Sequence, residues 1–390
     1  MESLLHLTKT EKLTTSARII ENKLIDVLKR VKADKSVVEK QQQINKNVED
    51  FLIQTGNIDS FTDEEFVAKL LEMCSIFKNA HISLNYSKFL YNDGKRFLSQ
   101  NLFYFNDKIY LAKDDQLLEV KSIGGWQIEK ICKEFDKYLS YETKEWRNVQ
   151  LNKMLNFVLL YEVLGIDYGN IELMNGQVLN CSTSDIFFDD YSYLPPFKSP
   201  NEKFYDCTVL DNHILLIDYF SCRELHKGDF LKFLEDVKEK WKNSQIDSFI
   251  IDIRGNTGGD SELILPLFNF LKEKKLKGVI LTDNRVFSSG TFVAYYAKHM
   301  LSSMLIGQSL GQGAIRFGQS SGQIILDDKL FIRYTEKYFD FRDIFKNEGA
   351  IKPDIEVPLT IEDICSKTDK TLAYAKNYIQ NTLLNTKENW

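Results

Sequence analysis

"IDIRGNTGGD", Ile251 to Asp260, ends a continuous apolar run and leads into a helical pattern. The run "SFIIDIR" reads as a buried strand. A glycine-rich turn between such a strand and a helix leaves backbone N–H groups pointing at an anion. The stretch has neither G-x-x-x-x-G-K-[ST] nor G-x-G-x-x-G, so it is a poor phosphate loop. Two readings stay open at this point: an oxyanion hole and a plain tight turn.

A second junction of the same kind follows at "VFSSGTF", Val286 to Phe292. Ser288 and Ser289 fall where an apolar helix begins. A serine there is commonly only a helix cap. A nucleophile needs the same environment, because the positive helix end and free N–H groups stabilise developing negative charge.

Around these junctions strands and helices alternate. "HILLIDYF", "SFIIDIR", "GVILTD" and "MLIG" read as strands. "FLKFLEDVKEKWKN", "SELILPLFNFLKE" (with a kink expected at Pro266) and "TFVAYYAKHML" read as helices. Such alternation implies an α/β core. Ten of the 19 glycines lie between 255 and 322, so tight turns and close approaches gather there. "QIIL" and "LFIRYT" add strands, and a helix is expected from about 361.

Upstream, "SARIIENKLIDVLKRV" carries a helical apolar stripe, and "TDEEFVAKLLEMCSIF" opens with Thr62 and Glu65 as a capping box. "HISLNY", "LFYF" and "KIYLA" read as strands. "LLEVKSIGGWQIEKICKEFDKYL" reads as strand, Gly-Gly turn and helix, with a second helix over about 145–163. "PPFKSPNEK", 195–203, is the linker candidate.

The chain has 390 residues and a net charge of −6, which gives no sign of a general phosphate or nucleic-acid binder. No apolar run approaches the roughly 20 residues a membrane span needs. The first residues hold no sustained apolar stretch of the secretory kind, so a cytoplasmic protein is expected. Six scattered cysteines form no C-x-x-C pair, and no H-E-x-x-H occurs. Reduced thiols, no metal and no cofactor are expected. The five histidines are His6, His81, His213, His226 and His299. A lone histidine beside apolar residues is more often packed than catalytic, but His81, in "FKNAHISL", has the best context for a base.

Together, and in this order, the motifs resemble the tail-specific, or C-terminal-processing, serine peptidases and their tricorn-core relatives. Asp252–Gly259 is similar to the family's D-[LIV]-R-x-N-x-G-G loop. Ser288-Ser289-Gly290-Thr291 resembles its S-[AS]-[GS]-[ED] nucleophile turn, with Ser288 in the nucleophile's place. "GQSLGQG", 307–313, resembles the next glycine loop, and "AIKPDIEVPLT", 350–360, the closing P-D element. Asn79-Ala80-His81 resembles D-[GA]-H. The resemblance covers about 62–365 and is strong over 246–358.

What the resemblance implies is a multi-domain α/β protein with a ClpP/crotonase-like ββα spiral core. The expected parts are a helical domain, 1–80; a β-containing, PDZ-like or degenerate PDZ segment with helices, 81–200; the catalytic core, 205–360; and a C-terminal helix, 361–390. The family's lysine base falls on Gln312, which cannot accept a proton usefully. The resemblance therefore implies the tricorn-like branch: Ser288 attacks, His81 is the base, and Gly259 and Ser289 give the oxyanion N–H groups. A carboxylate before the P-D element completes the relay; Glu348 is the nearest, one past the expected Asn347. The implied substrate is a peptide or unfolded protein, with no nucleic acid and no membrane span. Oligomeric state is left open. The alternative is a non-catalytic relative that binds peptides or apolar ligands, motivated by Gln312, Thr291 and Asn79.

Overall fold

The computed structural model describes residues 2–31, 35–91, 96–113, 116–185, 193–197, 203–211 and 213–384. The chain divides into two units, Met1–Phe188 with Ile315–Phe339, and Asp189–Ala314 with Asp340–Trp390.

In the first unit the apolar stripes become helices Lys9–Arg30, Lys35–Thr55 and Asp63–Ile76. The capping box forms as read: the Thr62 side chain accepts from Glu65 N while the Glu65 carboxylate takes Thr62 N. Thr8 and Glu11 make a second box ahead of the first helix. Strands Asn101–Phe105, Lys108–Lys113, Gln116–Ile123, Asn170–Leu173 and Val178–Asn180 lie in that order in an antiparallel sheet. The Gly-Gly turn leads through Trp126–Gln127 into helix Ile128–Phe135, as the sequence implies.

Two features depart from the sequence reading. The helix expected over 145–163 is two, Lys144–Met154 and Val158–Val163. Asn156 separates them: its side chain accepts from Leu102 N and donates to Leu102 O, both at 2.8 Å, like a neighbouring strand. The boundary expected near residue 80 is not a division of the fold. Helix residues Leu13, Ile20, Leu24 and Leu70 share one buried cluster with Leu102, Leu111, Ile123 and Phe135. The same cluster takes in Phe317, Ile324 and Ile332. Those belong to strands Ile315–Ile325 and Phe331–Asp340, expected in the catalytic core. They pair instead with Glu2–Ser3 and Ser83–Asn85, which carries residues 315–339 into the first unit.

The second unit is built on a sheet ordered Tyr205–Leu210, Ile214–Tyr219, Ser248–Asp252, Lys277–Thr282, Met304–Gly307 and Ile355–Glu356. Its first pair is antiparallel and the rest are parallel. Leu215, Ile217, Phe249, Ile251 and Ile280 are buried, and so are their alternating neighbours Leu216, Ile250, Val279 and Leu281. Burial on both faces is why these strands read as unbroken apolar runs. Helices Asp229–Asn243, Leu265–Glu273, Ser289–Leu301 and Lys370–Tyr378 belong to this unit. Pro266 stands in the first turn of its helix, where its missing N–H costs nothing, and so starts the helix instead of kinking it. The linker candidate 195–203 lies partly outside the described residues. No described helix is long and apolar enough to cross a membrane. The six cysteines form no disulfide.

The Asp252 end of the central strand is fixed by a buried arginine. Arg254, 2% exposed, reaches Asp252 at 2.9 and 2.6 Å and Asp369 at 2.8 and 2.7 Å. Asp369 also caps helix Lys370–Tyr378 by accepting from Leu372 N. Removing the cation would strand two carboxylates, one fully buried. Arg254→Met is therefore expected to cost about 3–5 kcal/mol of stability, read as a lower urea midpoint. An unchanged midpoint would show that the carboxylates find other partners.

Candidate active site

The two glycine–serine junctions meet in the second unit. They stand at the C-terminal ends of adjacent parallel strands, Ser248–Asp252 and Lys277–Thr282. Asn256, fully buried, ties them together. Its carbonyl accepts from Phe287 N at 2.9 Å, its Oδ1 from Gly258 N at 2.8 Å, and its Nδ2 donates to Tyr219 O at 2.8 Å. Asp283, beyond the next strand, accepts from Gly255 N at 3.0 Å and is paired with Arg285. Each strand thus ends in an Asp-x-Arg pair that holds its loop.

Ser288 precedes helix Ser289–Leu301 with φ 53° and ψ −122°. A residue with a side chain is rarely found there, and holding it costs about 1–3 kcal/mol. The surroundings enforce it. Gly290 N donates to Phe287 O at 2.9 Å, and Thr291 N to Ser288 O at 3.0 Å. The Thr291 hydroxyl also turns back to Ser288 O, at 2.6 Å. Ser288 N donates to Oε1 of the fully buried Gln312 at 2.6 Å. The Ser288 side chain makes no capping bond, which removes the bland reading of this serine. From Arg285 to Thr291 every residue is buried except Ser288.

The glycines make room for this turn. A Cβ on Gly258, at φ 98°, would stand 2.6 Å from Ser289 N and 2.8 Å from Ser288 Cβ. A Cβ on Gly259, at φ 143°, would strike the Cys222 carbonyl. Cys222 N donates to Gly258 O and Asp260 N to Cys222 O, so the Gly259 N–H faces away from that strand end. The N–H groups of Gly259 and Ser289 make no hydrogen bond among the described residues. The Ser289 hydroxyl donates to Gly259 O at 2.6 Å and fastens the two junctions.

His81 belongs to the first unit. Its N–H donates to Oδ1 of the buried Asn79 at 2.9 Å, and Ile82 N to Asn79 O closes the turn. Its ring lies against the strand Ile315–Ile325: Cε1 is 3.7 Å from where a Gly318 Cβ would be. Burial, then the Arg316 guanidinium, holds the imidazole down at about 4, against a hydrogen bond with the Phe317 backbone. Neutral imidazole, the form a base needs, is what this environment favours.

Glu348 is exposed and pairs with Arg342 at 3.2 Å. It leads into Gly349–Ile351, which pairs with the Gln312 loop through Ala314 N to Gly349 O and Ile351 N to Gln312 O. The sequence did not single out Asn256 within its motif, nor Asp283, Arg285 or the role of Gln312. The Asp283-Asn284-Arg285 repeat of the first junction's Asp-x-Arg spacing was the available signal. No group of three or more His, Cys, Asp or Glu among the described residues is placed to hold a metal ion.

A strand–loop–helix pair with a strained serine and unpaired N–H groups is the arrangement that acyl transfer through a serine nucleophile needs. The fold is shared with CPAF, two structures of which align over nearly the whole chain. A CPAF mutant structure aligns with TM-score 0.60 and 11% identity, over 96% of this chain and 98% of that one. Mature CPAF aligns with TM-score 0.56 and 10% identity, over 94% and 96%. The photosystem II D1 C-terminal processing protease aligns more loosely, with TM-score 0.42 and 11% identity over 90% and 96%. No family model and no curated protein matches the sequence.

Proposed function

We propose that this chain is a serine peptidase acting on peptides or unfolded protein. Ser288 Oγ attacks the scissile carbonyl carbon while His81, carried by the other unit, takes its proton. The N–H groups of Gly259 and Ser289 receive the charge that develops on the carbonyl oxygen. The C–N bond then breaks, His81 passes the proton to the leaving amine, and water releases the acyl group. We also read the second unit as a ββα core of the ClpP/crotonase type, and Glu348 as the third member of the relay. The observation that carries the reading is the enforced conformation of Ser288 beside two unpaired N–H groups.

The departures from the family pattern bear on the non-catalytic alternative. Gln312 accepts from Ser288 N, Thr291 donates to Ser288 O, and Asn79 accepts from His81 N. Each supports a residue of the proposed site instead of dismantling it, which favours the enzyme. A fluorophosphonate probe tests the choice: its phosphorus bonds to serine Oγ as fluoride leaves. Labelling of the wild type and not of Ser288→Ala is expected. An unlabelled, folded wild type would favour a binding protein.

Gln312 stands where the family's other branch has its lysine. Here it positions the nucleophile and takes no proton. Gln312→Leu leaves Ser288 N without its acceptor, and a displaced nucleophile typically loses about 100-fold in rate. The expected result is a kcat loss of that order with KM little changed, and partial recovery in Gln312→Glu, which keeps an acceptor. An unchanged kcat in Gln312→Leu would remove this role.

A further inference from the structure

Beside the first junction the second unit has a cleft of about 370 Å³. Phe230, Leu231, Leu263 and Pro266 form its apolar wall, and Leu231 is 62% exposed. Glu224, Asp260 and Glu262 line it too, against one cation, Lys227. Glu224 accepts from Gly228 N and Phe230 N, and Asp260 from Glu262 N. None of the three carboxylates has an ion-pair partner among the described residues. Apolar wall with unneutralised negative charge suits a ligand that is apolar in the middle and cationic at one side.

The place of the cleft matters as much as its lining. Asp260 follows Gly259 directly, and both Cys222 and Gly259 lie where the two walls start. An extended peptide advances only about 3.3–3.6 Å per residue. A peptide whose carbonyl meets Gly259 N–H therefore brings a nearby side chain to the cleft.

We propose that this cleft is a substrate subsite that takes a large apolar side chain standing next to a lysine or arginine in the peptide. The inference rests on the peptidase reading for the direction of the peptide. Acidic neighbours are repelled by Glu224, Asp260 and Glu262, and small apolar residues leave the wall of Phe230 and Leu263 unfilled.

The test uses the full chain carrying Ser288→Ala, which binds without cleaving, and fluorescein-labelled alanine-rich peptides with a central Leu-Arg, Leu-Glu or Ala-Arg. Fluorescence anisotropy should show Leu-Arg binding about tenfold more tightly than either of the others. The gap to Leu-Glu should shrink in high salt, since exposed charges are screened beyond about 8 Å at physiological ionic strength. Adding Glu262→Lys, at an exposed position, should close that gap, and adding Leu263→Asp should remove the advantage over Ala-Arg. Equal affinity for the three peptides, no binding of any of them, or a gap indifferent to Glu262→Lys overturns the inference. Probe labelling of wild-type Ser288 without this preference sinks the subsite alone. The preference without labelling sinks the peptidase reading and leaves a peptide-binding cleft.

Discussion

Replacing Ser288 with alanine should lower kcat on a peptide substrate by about 10⁴- to 10⁶-fold, the loss typical of a removed serine nucleophile. Stability should hardly move, because the side chain makes no capping bond and alanine meets the same backbone strain at φ 53°. Ser289→Ala is the control. It loses a hydroxyl that holds Gly259 O at 2.6 Å, a bond worth about 1 kcal/mol, but keeps its own N–H. Its kcat should fall by about tenfold as the Gly259 amide loosens. Steady-state rates and urea midpoints for both variants decide the matter. If Ser289→Ala is the dead variant and Ser288→Ala the mild one, the nucleophile is out by one residue.

His81→Ala should cost several orders of magnitude in kcat, and the wild-type pH profile should show why. The free imidazole titrates at about 6.5. In this fold burial and Arg316 hold it near 4. With His81 as the proposed base, its neutral form is present throughout the neutral range, and kcat/KM should stay level down to acidic pH before falling toward 4. The same displacement has a stability consequence. The unfolded chain binds this proton between the two values and the folded chain does not. Stability linked to His81 is complete above about 6.5 and is lost as pH falls toward 4. Acid denaturation of His81→Phe should therefore begin at lower pH than that of the wild type. If Glu348 completes the relay, Glu348→Gln should lower kcat well beyond about tenfold; a loss of about tenfold or less would leave it only the exposed partner of Arg342 at 3.2 Å. An acid limb that persists unchanged in residual activity of His81→Ala would assign the base to another group.

Much of this is visible in local chemistry. The strands "HILLIDYF", "SFIIDI" and "GVILTD" announce themselves because both of their faces are buried, so no polar alternation interrupts them. Thr62 and Glu65 mark a helix start because a capping box is satisfied within four residues. The two junctions were legible for a similar reason: glycines at 258 and 259 and serines at 288 and 289 are short-range demands for tight turns at strand ends.

What the sequence could not supply depends on contacts between distant residues. Ser288 is a cap or a nucleophile on its letters alone. Its conformation is decided by Asn256 at Phe287 N and Gln312 at its own N–H. Helix Lys144–Met154 stops because Asn156 finds Leu102, and periodicity carries no trace of that. The strands of residues 315–339 leave the segment that encodes them, since their apolar side chains fill the core of Leu13, Ile20 and Leu102. His81 owes its depressed basicity first to burial and then to Arg316, far along the chain. The sequence by itself determined which residues could do the chemistry and which elements carry them. Only the tertiary structure decided the backbone strain, the hydrogen-bond partners and the burial, because those are properties of neighbours that the chain must fold to acquire.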